Sequence, residues 1–161
     1  LGHATLAVQN FTSATDTYNI AVGFYAGVNV TTGVQNTIMG GLAGDALTDA
    51  DHNVAVGYGA LSTDTKGNKS VAIGREALEN QNFTSATDTQ NVAVGNKAGN
   101  AVTTAQYSTL IGATSGLAIT TGSENTAVGY RALLTETTGI RNTAIGYQAL
   151  KTQNKTDGSA L

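Results

Sequence analysis

The stretch that decides the fold is Asn53-Val54-Ala55-Val56-Gly57-Tyr58-Gly59-Ala60-Leu61, because versions of it return along the whole chain. The shared pattern is Asn or Ser, an aliphatic residue or Thr, Ala, Val or Ile, then Gly, two variable residues, Ala, and Leu or Gly. Its central glycine recurs at intervals of 17 or 21 residues, at Gly2, Gly23, Gly40, Gly57, Gly74, Gly95, Gly112, Gly129 and Gly146. A fixed period of this length indicates a repeat architecture in which each glycine has a structural role.

A longer period, four motifs in length, is superimposed on this repeat. Residues 9–17 return unchanged as residues 81–89, and the fourth position after the repeat glycine follows the order Leu, Gly, Gly, Leu in both copies. We therefore expect residues 1–161 to form one solenoid segment, duplicated as residues 1–72 and 73–144, with a partial third unit over residues 145–161.

The motif core is short, rich in β-branched residues and bounded by turn-forming residues, which is typical of a strand. The sequence predicts an all-β, parallel β-solenoid of about nine coils of 17 residues, with a 21-residue coil every fourth. A second short strand around Ala77-Leu78, and likewise Ala149-Leu150, is expected to complete each flattened coil.

Alternation along the strand predicts two different faces. Val54 and Val56 project to one side, whereas Asn53, Ala55 and Gly57 project to the other. We expect the Val/Ile row to fill the interior and the Ala/Gly row to meet other subunits around a symmetry axis. Oligomerisation is expected because a thin coil buries little apolar surface by itself.

Copies such as Asn142-Thr143-Ala144-Ile145-Gly146-Tyr147-Gln148-Ala149-Leu150 resemble the β-roll repeats of phage tail fibres and of trimeric autotransporter adhesin heads. The resemblance covers essentially the whole chain and implies a left-handed β-roll, intertwined or packed as a homotrimer. It implies a structural and adhesive segment of an extracellular fibre on a virion or a bacterial cell surface. A phage tail fibre that spaces or presents a host-attachment tip is the first expectation, and an adhesin head is the alternative. The coils are longer than those of adhesin heads, and the four-residue insertions are a further departure.

Composition excludes several other classes of protein. A net charge of −3 with eight Lys and Arg residues offers no basic patch for nucleic acid, and the chain contains no Cys. No apolar run approaches the roughly 18 residues needed to span a bilayer, so no membrane insertion is expected. No constellation of nucleophile, base or paired carboxylates is recognisable, which predicts a protein that is not an enzyme and has no cofactor.

The aromatic residues that follow the repeat glycine are the candidates for binding a receptor. If the coils stack in register, these side chains lie along one side, where they could contact a host glycan or protein receptor or simply pack together. They are Phe24, Tyr58, Tyr130 and Tyr147.

Polar residues suggest weaker hypotheses. Asp49, Asp51 and His52 form a possible cation site, but the spacing of calcium-binding β-rolls is absent, so no metal is expected. The eleven acidic residues are expected to lie on a solvated rim, and the asparagines that begin each motif are expected to form a ladder. Thr-x-Thr triplets at residues 15–17, 63–65 and 87–89 leave an ice-binding solenoid as a less favoured alternative, since they do not recur in every coil.

Overall fold

A computed structural model describes residues 2–155 and confirms an all-β parallel solenoid with no helix in that range. Eight strands stack in one parallel sheet, in the order β1-β2-β3-β5-β7-β8-β9-β10, and β4 and β6 form a second sheet. The strands are β1 (Ile20–Val22), β2 (Thr37–Met39), β3 (Val54–Val56), β4 (Gly67–Asn68), β5 (Val71–Ile73), β6 (Thr87–Asp88), β7 (Val92–Val94), β8 (Thr109–Ile111), β9 (Thr126–Val128) and β10 (Thr143–Ile145). The large sheet corresponds to about seven turns. The count of nine coils and the left-handed winding stay predictions, and the partial third unit runs beyond residue 155, outside the described residues.

The register of the large sheet follows the sequence period. Ile20 pairs with Thr37 across one of the shorter repeats, whereas Val71 pairs with Val92 across one of the longer ones. The four additional residues of the longer repeat therefore leave the sheet without moving the next strand out of register. Keeping register matters because a shift by one residue would exchange the inner and outer faces of every following strand.

The inner face of the strands is the opposite of the predicted one. Ala55 and its equivalents in other coils are fully buried, while Val54 and Val56 are half-buried and Ile145 at the end of the stack is 68% exposed. Asn53 is also fully buried. The prediction that the Val/Ile row fills the interior and the Ala/Gly row faces other subunits is therefore wrong.

The reason for this reversal lies in the segment that was predicted to be a second strand. Residues 77–78 and 149–150 lie in turns, and Leu78 and Leu150 have left-handed backbone angles, with φ of 48° and 49°. That conformation directs the Leu78 side chain into the coil, where it is fully buried. The left-handed backbone costs about 1–2 kcal/mol, and burial of a leucine contributes about 1.5–3 kcal/mol. With leucine supplied by the turn, the strand has room only for alanine.

The Leu, Gly, Gly, Leu rhythm reflects the volume inside the coils. Where the turn residue is glycine, the inward strand position of one coil carries a large side chain, Ile38 in the first unit and Leu110 in the second. A Cβ atom added at Gly27 would lie 2.9 Å from Ile38 Cδ1, and one added at Gly116 would lie 2.7 Å from Leu110 Cδ2. One large strand residue thus occupies the space that leucines fill in the other coils.

The repeat glycines are required by the close stacking of successive coils. Gly95 has φ of 140°, and a Cβ atom there would lie 2.6 Å from the carbonyl carbon of Gly112. A side chain at this position would meet backbone that cannot move aside, in a region of φ that other residues rarely adopt.

The predicted asparagine ladder is confirmed by its hydrogen bonds. Asn53 Nδ2 donates to the carbonyl oxygen of Gly67 at 2.8 Å, and the amide of Ser70 donates to Asn53 Oδ1 at 2.8 Å. The amide of Asn53 donates in turn to Asn36 Oδ1 at 2.9 Å. The side chains of Asn36 and Asn53 thus satisfy buried backbone groups of the corner, which would otherwise lack partners.

Three acidic residues depart from the predicted solvated rim: Glu76, which is 8% exposed, and Asp64 and Glu136. Asp64 and Glu136, which occupy equivalent positions in the two units, are fully buried. Asp64 Oδ1 accepts hydrogen bonds from the amides of Gly67 and Phe83, at 3.1 and 2.9 Å, and Glu136 Oε1 accepts one from the amide of Gly139 at 2.8 Å. These carboxylates replace the carbonyl acceptors that the amides lack at this corner, so a rim position was the wrong prediction for them.

Candidate functional surfaces

The outward face of the large sheet is an uncharged and partly exposed surface. Each strand presents two side chains on it, and none of the sixteen is charged. The column nearer the repeat glycine is entirely aliphatic, consisting of Val22, Met39, Val56, Ile73, Val94, Ile111, Val128 and Ile145. We call these eight residues the aliphatic column.

The aliphatic column is continuous because the strands stack in register. Seven spacings of about 4.8 Å give it a length of about 34 Å. A parallel sheet ordinarily has both faces covered, whereas here Met39 is 42% exposed and Ile73 is 38% exposed. A contiguous strip of this kind, unlike scattered surface side chains, is typical of an interaction surface.

The predicted aromatic row is exposed but discontinuous. Tyr130 and Tyr147 stack with ring centroids 5.6 Å apart, and Arg131 lies over the Tyr130 ring at 4.9 Å. Phe24 stacks on His3 instead, at 5.6 Å. The structure therefore does not bring the four candidates together: one pair lies near the end of the stack, and Phe24 belongs to a separate cluster.

Tyr58, the fourth aromatic candidate, stands apart from the others because its neighbours in the column are not aromatic. Gly41 precedes it and Arg75 follows it, one coil away in each direction. Tyr58 is 53% exposed, and its ring edge lies over Gly41, where an added Cβ atom would be 3.6 Å from Tyr58 Cδ2. A single exposed ring offers less surface to a ligand than the stacked pair Tyr130 and Tyr147.

The candidate cation site is engaged in other interactions. Asp49 forms an ion pair with Lys66 at 3.5 Å, and Asp51 Oδ1 accepts a hydrogen bond from the amide of Val34 at 2.8 Å. Within residues 2–155, no group of three or more His, Cys, Asp or Glu side chains is placed to hold a metal ion, and this includes Asp49, Asp51 and His52.

A charged cluster that the sequence did not reveal surrounds Glu76. This carboxylate is only 8% exposed and pairs with Arg75 and with Lys97, the latter at 3.1 Å. Glu79 accepts a hydrogen bond from Asn100 Nδ2 at 2.8 Å. The cluster ties neighbouring coils together at the corner that follows the sheet, and its charges are matched.

The segment over residues 81–89, which contains the four additional residues and is called the insertion below, is anchored at both ends and exposed between them. Phe83 is 7% exposed and Gln81 is fully buried, with Gln81 Nε2 donating to Asp64 Oδ2 at 2.6 Å. At the other end Thr89 Oγ1 donates to the carbonyl oxygen of Asn68 at 2.9 Å. Residues 84–86 between these anchors are exposed, and we call them the insertion tip, with residues 12–14 as its counterpart in the first unit.

Several hydroxyls of the Thr-x-Thr triplets at residues 63–65 and 87–89 are used within the solenoid. Thr65 Oγ1 donates to the carbonyl oxygen of Phe83 at 2.8 Å, and Thr89 is buried. The middle residue of the triplet at 63–65, Asp64, is buried as well. These groups do not form an outward array of the kind that matching an ice surface would require.

Over residues 2–155 no ligand-sized pocket is found, and the same residues contain no helix that could cross a bilayer. No family model, curated protein or solved structure matches this chain.

Proposed function

We propose that the chain is a structural and adhesive segment of an extracellular homotrimeric fibre, of the kind found in phage tail fibres, where it spaces or presents a host-attachment tip. The repeat Asn-Thr-Ala-Ile-Gly-Tyr-x-Ala-Leu, as at residues 142–150, supports this proposal through its resemblance to tail-fibre repeats. The observation that carries the proposal is the uncovered aliphatic column.

The aliphatic column needs a partner, and further copies of the same chain fit it best. Its side chains repeat at the strand spacing, so an identical column matches it over its full length. Burying eight half-exposed aliphatic side chains contributes about 1 kcal/mol each, or about 8 kcal/mol per chain. This is comparable to the lower part of the estimated cost of association. The interface is thus assigned to the Val/Ile row and no longer to the Ala/Gly row.

The arrangement of backbone hydrogen bonds suits a fibre. Each coil advances the chain by one strand spacing. Neighbouring coils bond through the sheet, and the asparagine ladder and the threonine hydroxyls add bonds between several of them. A stack in which each repeat contacts its neighbours extends without limit along one axis. The exposed pair Tyr130 and Tyr147 is the candidate receptor contact on this rod.

The oligomer is tested by analytical ultracentrifugation of the 16.3 kDa chain and of one variant with a charge on the aliphatic column. The wild type is expected to sediment with three times the chain mass. Ile73→Lys is expected to give folded monomer, because three lysines would be desolvated around the axis. Thr104→Lys, at an exposed position outside the large sheet, is the matched control and is expected to remain trimeric.

A wild type that sediments as a folded monomer would overturn the trimer. An Ile73→Lys variant that remains trimeric would show that the interface lies elsewhere. The location is tested separately by immunogold labelling with an antibody against this segment. Label on phage tails is the expected result, and label on bacterial cell surfaces alone would reject the tail-fibre assignment.

A further inference from the structure

Comparing the two duplicated units residue by residue shows which surface positions differ between them. Outside residues 81–89, the second unit has fourteen exposed residues, and all but three differ from their counterparts in the first unit. The three unchanged ones are Thr104, Tyr130 and Thr135. Inside residues 81–89, all four exposed residues are unchanged. Sequence change has therefore been frequent over the surface and absent from this segment.

Structural requirements explain part of this identity and leave the insertion tip unexplained. Gln81, Phe83 and Thr89 are buried, and Thr87 Oγ1 donates to the carbonyl oxygen of Ser85 at 3.0 Å. These residues need to stay the same to anchor the insertion. In contrast, Thr84, Ser85 and Ala86 are exposed, and among residues 2–155 no side chain or backbone group bonds to the hydroxyls of Thr84 and Ser85.

The chemistry of the insertion tip is neutral and hydrogen-bonding. Its two hydroxyls each donate one hydrogen bond and accept others. The neighbouring carboxylate of Asp88 is engaged by Lys69, and the hydrogen bond from the Lys69 ammonium lowers the pKa of Asp88. In the first unit Asp16 accepts a hydrogen bond from the Tyr18 hydroxyl at 3.3 Å. Asp88 is thus paired with a cation, whereas Asp16 keeps its negative charge, which disfavours an anionic ligand at the tip.

The tips recur at a regular distance along the stack. Four coils separate them, which corresponds to about 19 Å at a strand spacing of about 4.8 Å. The second tip precedes β6, which pairs with β4 in the second sheet, and neither tip belongs to the sheet that carries the aliphatic column. Assembly through the aliphatic column leaves both tips of each chain available to a ligand.

We infer that the insertion tips, residues 12–14 and 84–86, form a repeated binding site for a neutral, hydroxyl-rich polysaccharide. This inference rests on the proposed fibre function for its multivalency, because a trimer would present six tips. Hydroxyl–hydroxyl hydrogen bonds at one small tip give weak affinity, and several tips engaging one polymer raise the apparent affinity by about 10²–10⁴. The insertion tips are thus a second candidate adhesive surface, separate from the tyrosine pair.

The test measures binding of the assembled protein to immobilised dextran, mannan and galactan by surface plasmon resonance, with hyaluronan and a protein-coated surface beside them. Binding to at least one of the neutral polysaccharides is expected. Removing four hydroxyls by Thr12→Ala, Ser13→Ala, Thr84→Ala and Ser85→Ala is expected to weaken that binding about 100-fold or more. The matched control combines Thr32→Ala and Thr104→Ala, which remove exposed hydroxyls outside the insertion, and it is expected to bind as the wild type does.

A second variant tests the same site if removal of the four hydroxyls does not weaken polysaccharide binding. Ala14→Gln with Ala86→Gln adds bulk at both tips, and it is expected to reduce binding to a similar degree. The inference is overturned if no neutral polysaccharide is bound, if hyaluronan or the protein surface is preferred, or if both tip variants bind normally. Sedimentation of the same samples separates the two proposals. A monomer with tip-dependent binding rejects only the fibre, and a trimer without such binding rejects only the tip site.

Discussion

Leu110→Ala tests whether the interior volume is shared between the strand and the turns. Leu110 is fully buried, and its side chain approaches Gly99 and Gly116, which have no side chains to move into the vacated space. Removing three carbons loses about 2.4 kcal/mol of transfer free energy, at about 0.8 kcal/mol each. A cavity that cannot collapse adds about 1–2 kcal/mol, so we expect a total loss of about 4 kcal/mol.

The same reasoning predicts that a second substitution rescues the first. Gly116→Leu alone is expected to cost about 3 kcal/mol, because its Cβ atom would lie 2.7 Å from Leu110 Cδ2 and its φ is 57°. Combined with Leu110→Ala, it recreates the pairing of Ala127 with Leu133, which has the same spacing and backbone conformation. The double variant is expected to lose only about 1–2 kcal/mol, well short of the additive value of about 7 kcal/mol.

Guanidinium unfolding followed by circular dichroism, at one fixed chain concentration, measures all three variants against the wild type. The concentration must be held constant because assembly contributes to the measured stability. If the two substitutions prove additive within about 0.5 kcal/mol, the shared-volume explanation of the Leu and Gly rhythm is refuted.

Three further predictions concern the backbone and its polar partners. Gly95→Ala is expected to cost more than about 4 kcal/mol in thermal unfolding, because its Cβ atom would overlap the backbone of the next coil. Asn53→Ala is expected to cost about 3 kcal/mol in denaturant unfolding, because it leaves a buried amide and a buried carbonyl without partners. Asp88 is expected to titrate below the usual carboxyl range in an NMR pH titration, because the ammonium of Lys69 donates a hydrogen bond to it and so lowers its pKa. Since its folded pKa is lowered, the stabilisation from this carboxylate is complete above the ordinary carboxyl pKa and is lost as the pH falls through the lowered value.

Each of these predictions has a matched control. Gly146→Ala meets nothing within 4 Å and is expected to cost only the backbone strain of its φ of 125°, about 1–3 kcal/mol. Asn96→Ala, at an exposed site, is expected to change stability by less than about 0.5 kcal/mol. Lys69→Met is expected to return the Asp88 midpoint toward its ordinary value. Equal losses of stability at Gly95 and Gly146 would contradict the stacking explanation, and equal losses at Asn53 and Asn96 would contradict the ladder explanation. An Asp88 midpoint that does not move in Lys69→Met would contradict the effect of Lys69 on the pKa of Asp88.

The parallel stacking could be predicted because a motif that recurs at a fixed sequence interval places one equivalent strand in each successive coil. A strand motif that returns at a fixed interval can pair only with its own copies, which sets the register seen for Thr37 and Val54. The glycine requirement and the asparagine ladder follow from the same stacking. Their residue types, at positions such as Gly95 and Asn53, are those that close backbone approach and buried amides demand.

The inner and outer faces could not be assigned from alternation alone. Period-two alternation shows that one row is inside without showing which row it is, and preference for larger aliphatic side chains favoured Val54 over Ala55. That preference failed because Leu78 and its equivalents reach the interior from a left-handed turn. A left-handed leucine is uncommon, so an Ala-Leu pair was interpreted as a strand.

The candidate surfaces were predictable only in part. The exposure of Tyr130 and Tyr147 follows from their position after the repeat glycine, and their stacking follows from being one coil apart. The insertion tip was overlooked although its sequence identity was visible. Identity alone could reflect packing, and the tip stood out only after burial showed which of the unchanged residues have no structural role.

The buried acids follow a sequence pattern that can be recognised once the conformation of the turn residue is known. Three residues after a turn glycine the chain has apolar side chains, as at Val30 and Val102, whereas three residues after a turn leucine it has polar ones, as at Asp64, Gln81 and Glu136. Asp64 and Glu136 each accept a hydrogen bond from a backbone amide of the following coil, that of Phe83 in the first case. Where a turn leucine fills the interior, the residue three positions later does not need to be apolar. It can therefore be a carboxylate that accepts hydrogen bonds from backbone amides outside the regular sheet. The insertion therefore follows the coil whose buried carboxylate, Asp64, accepts a hydrogen bond from the first turn of the insertion. Because such a carboxylate occurs once in each four-coil unit, the exposed tips recur with the same period.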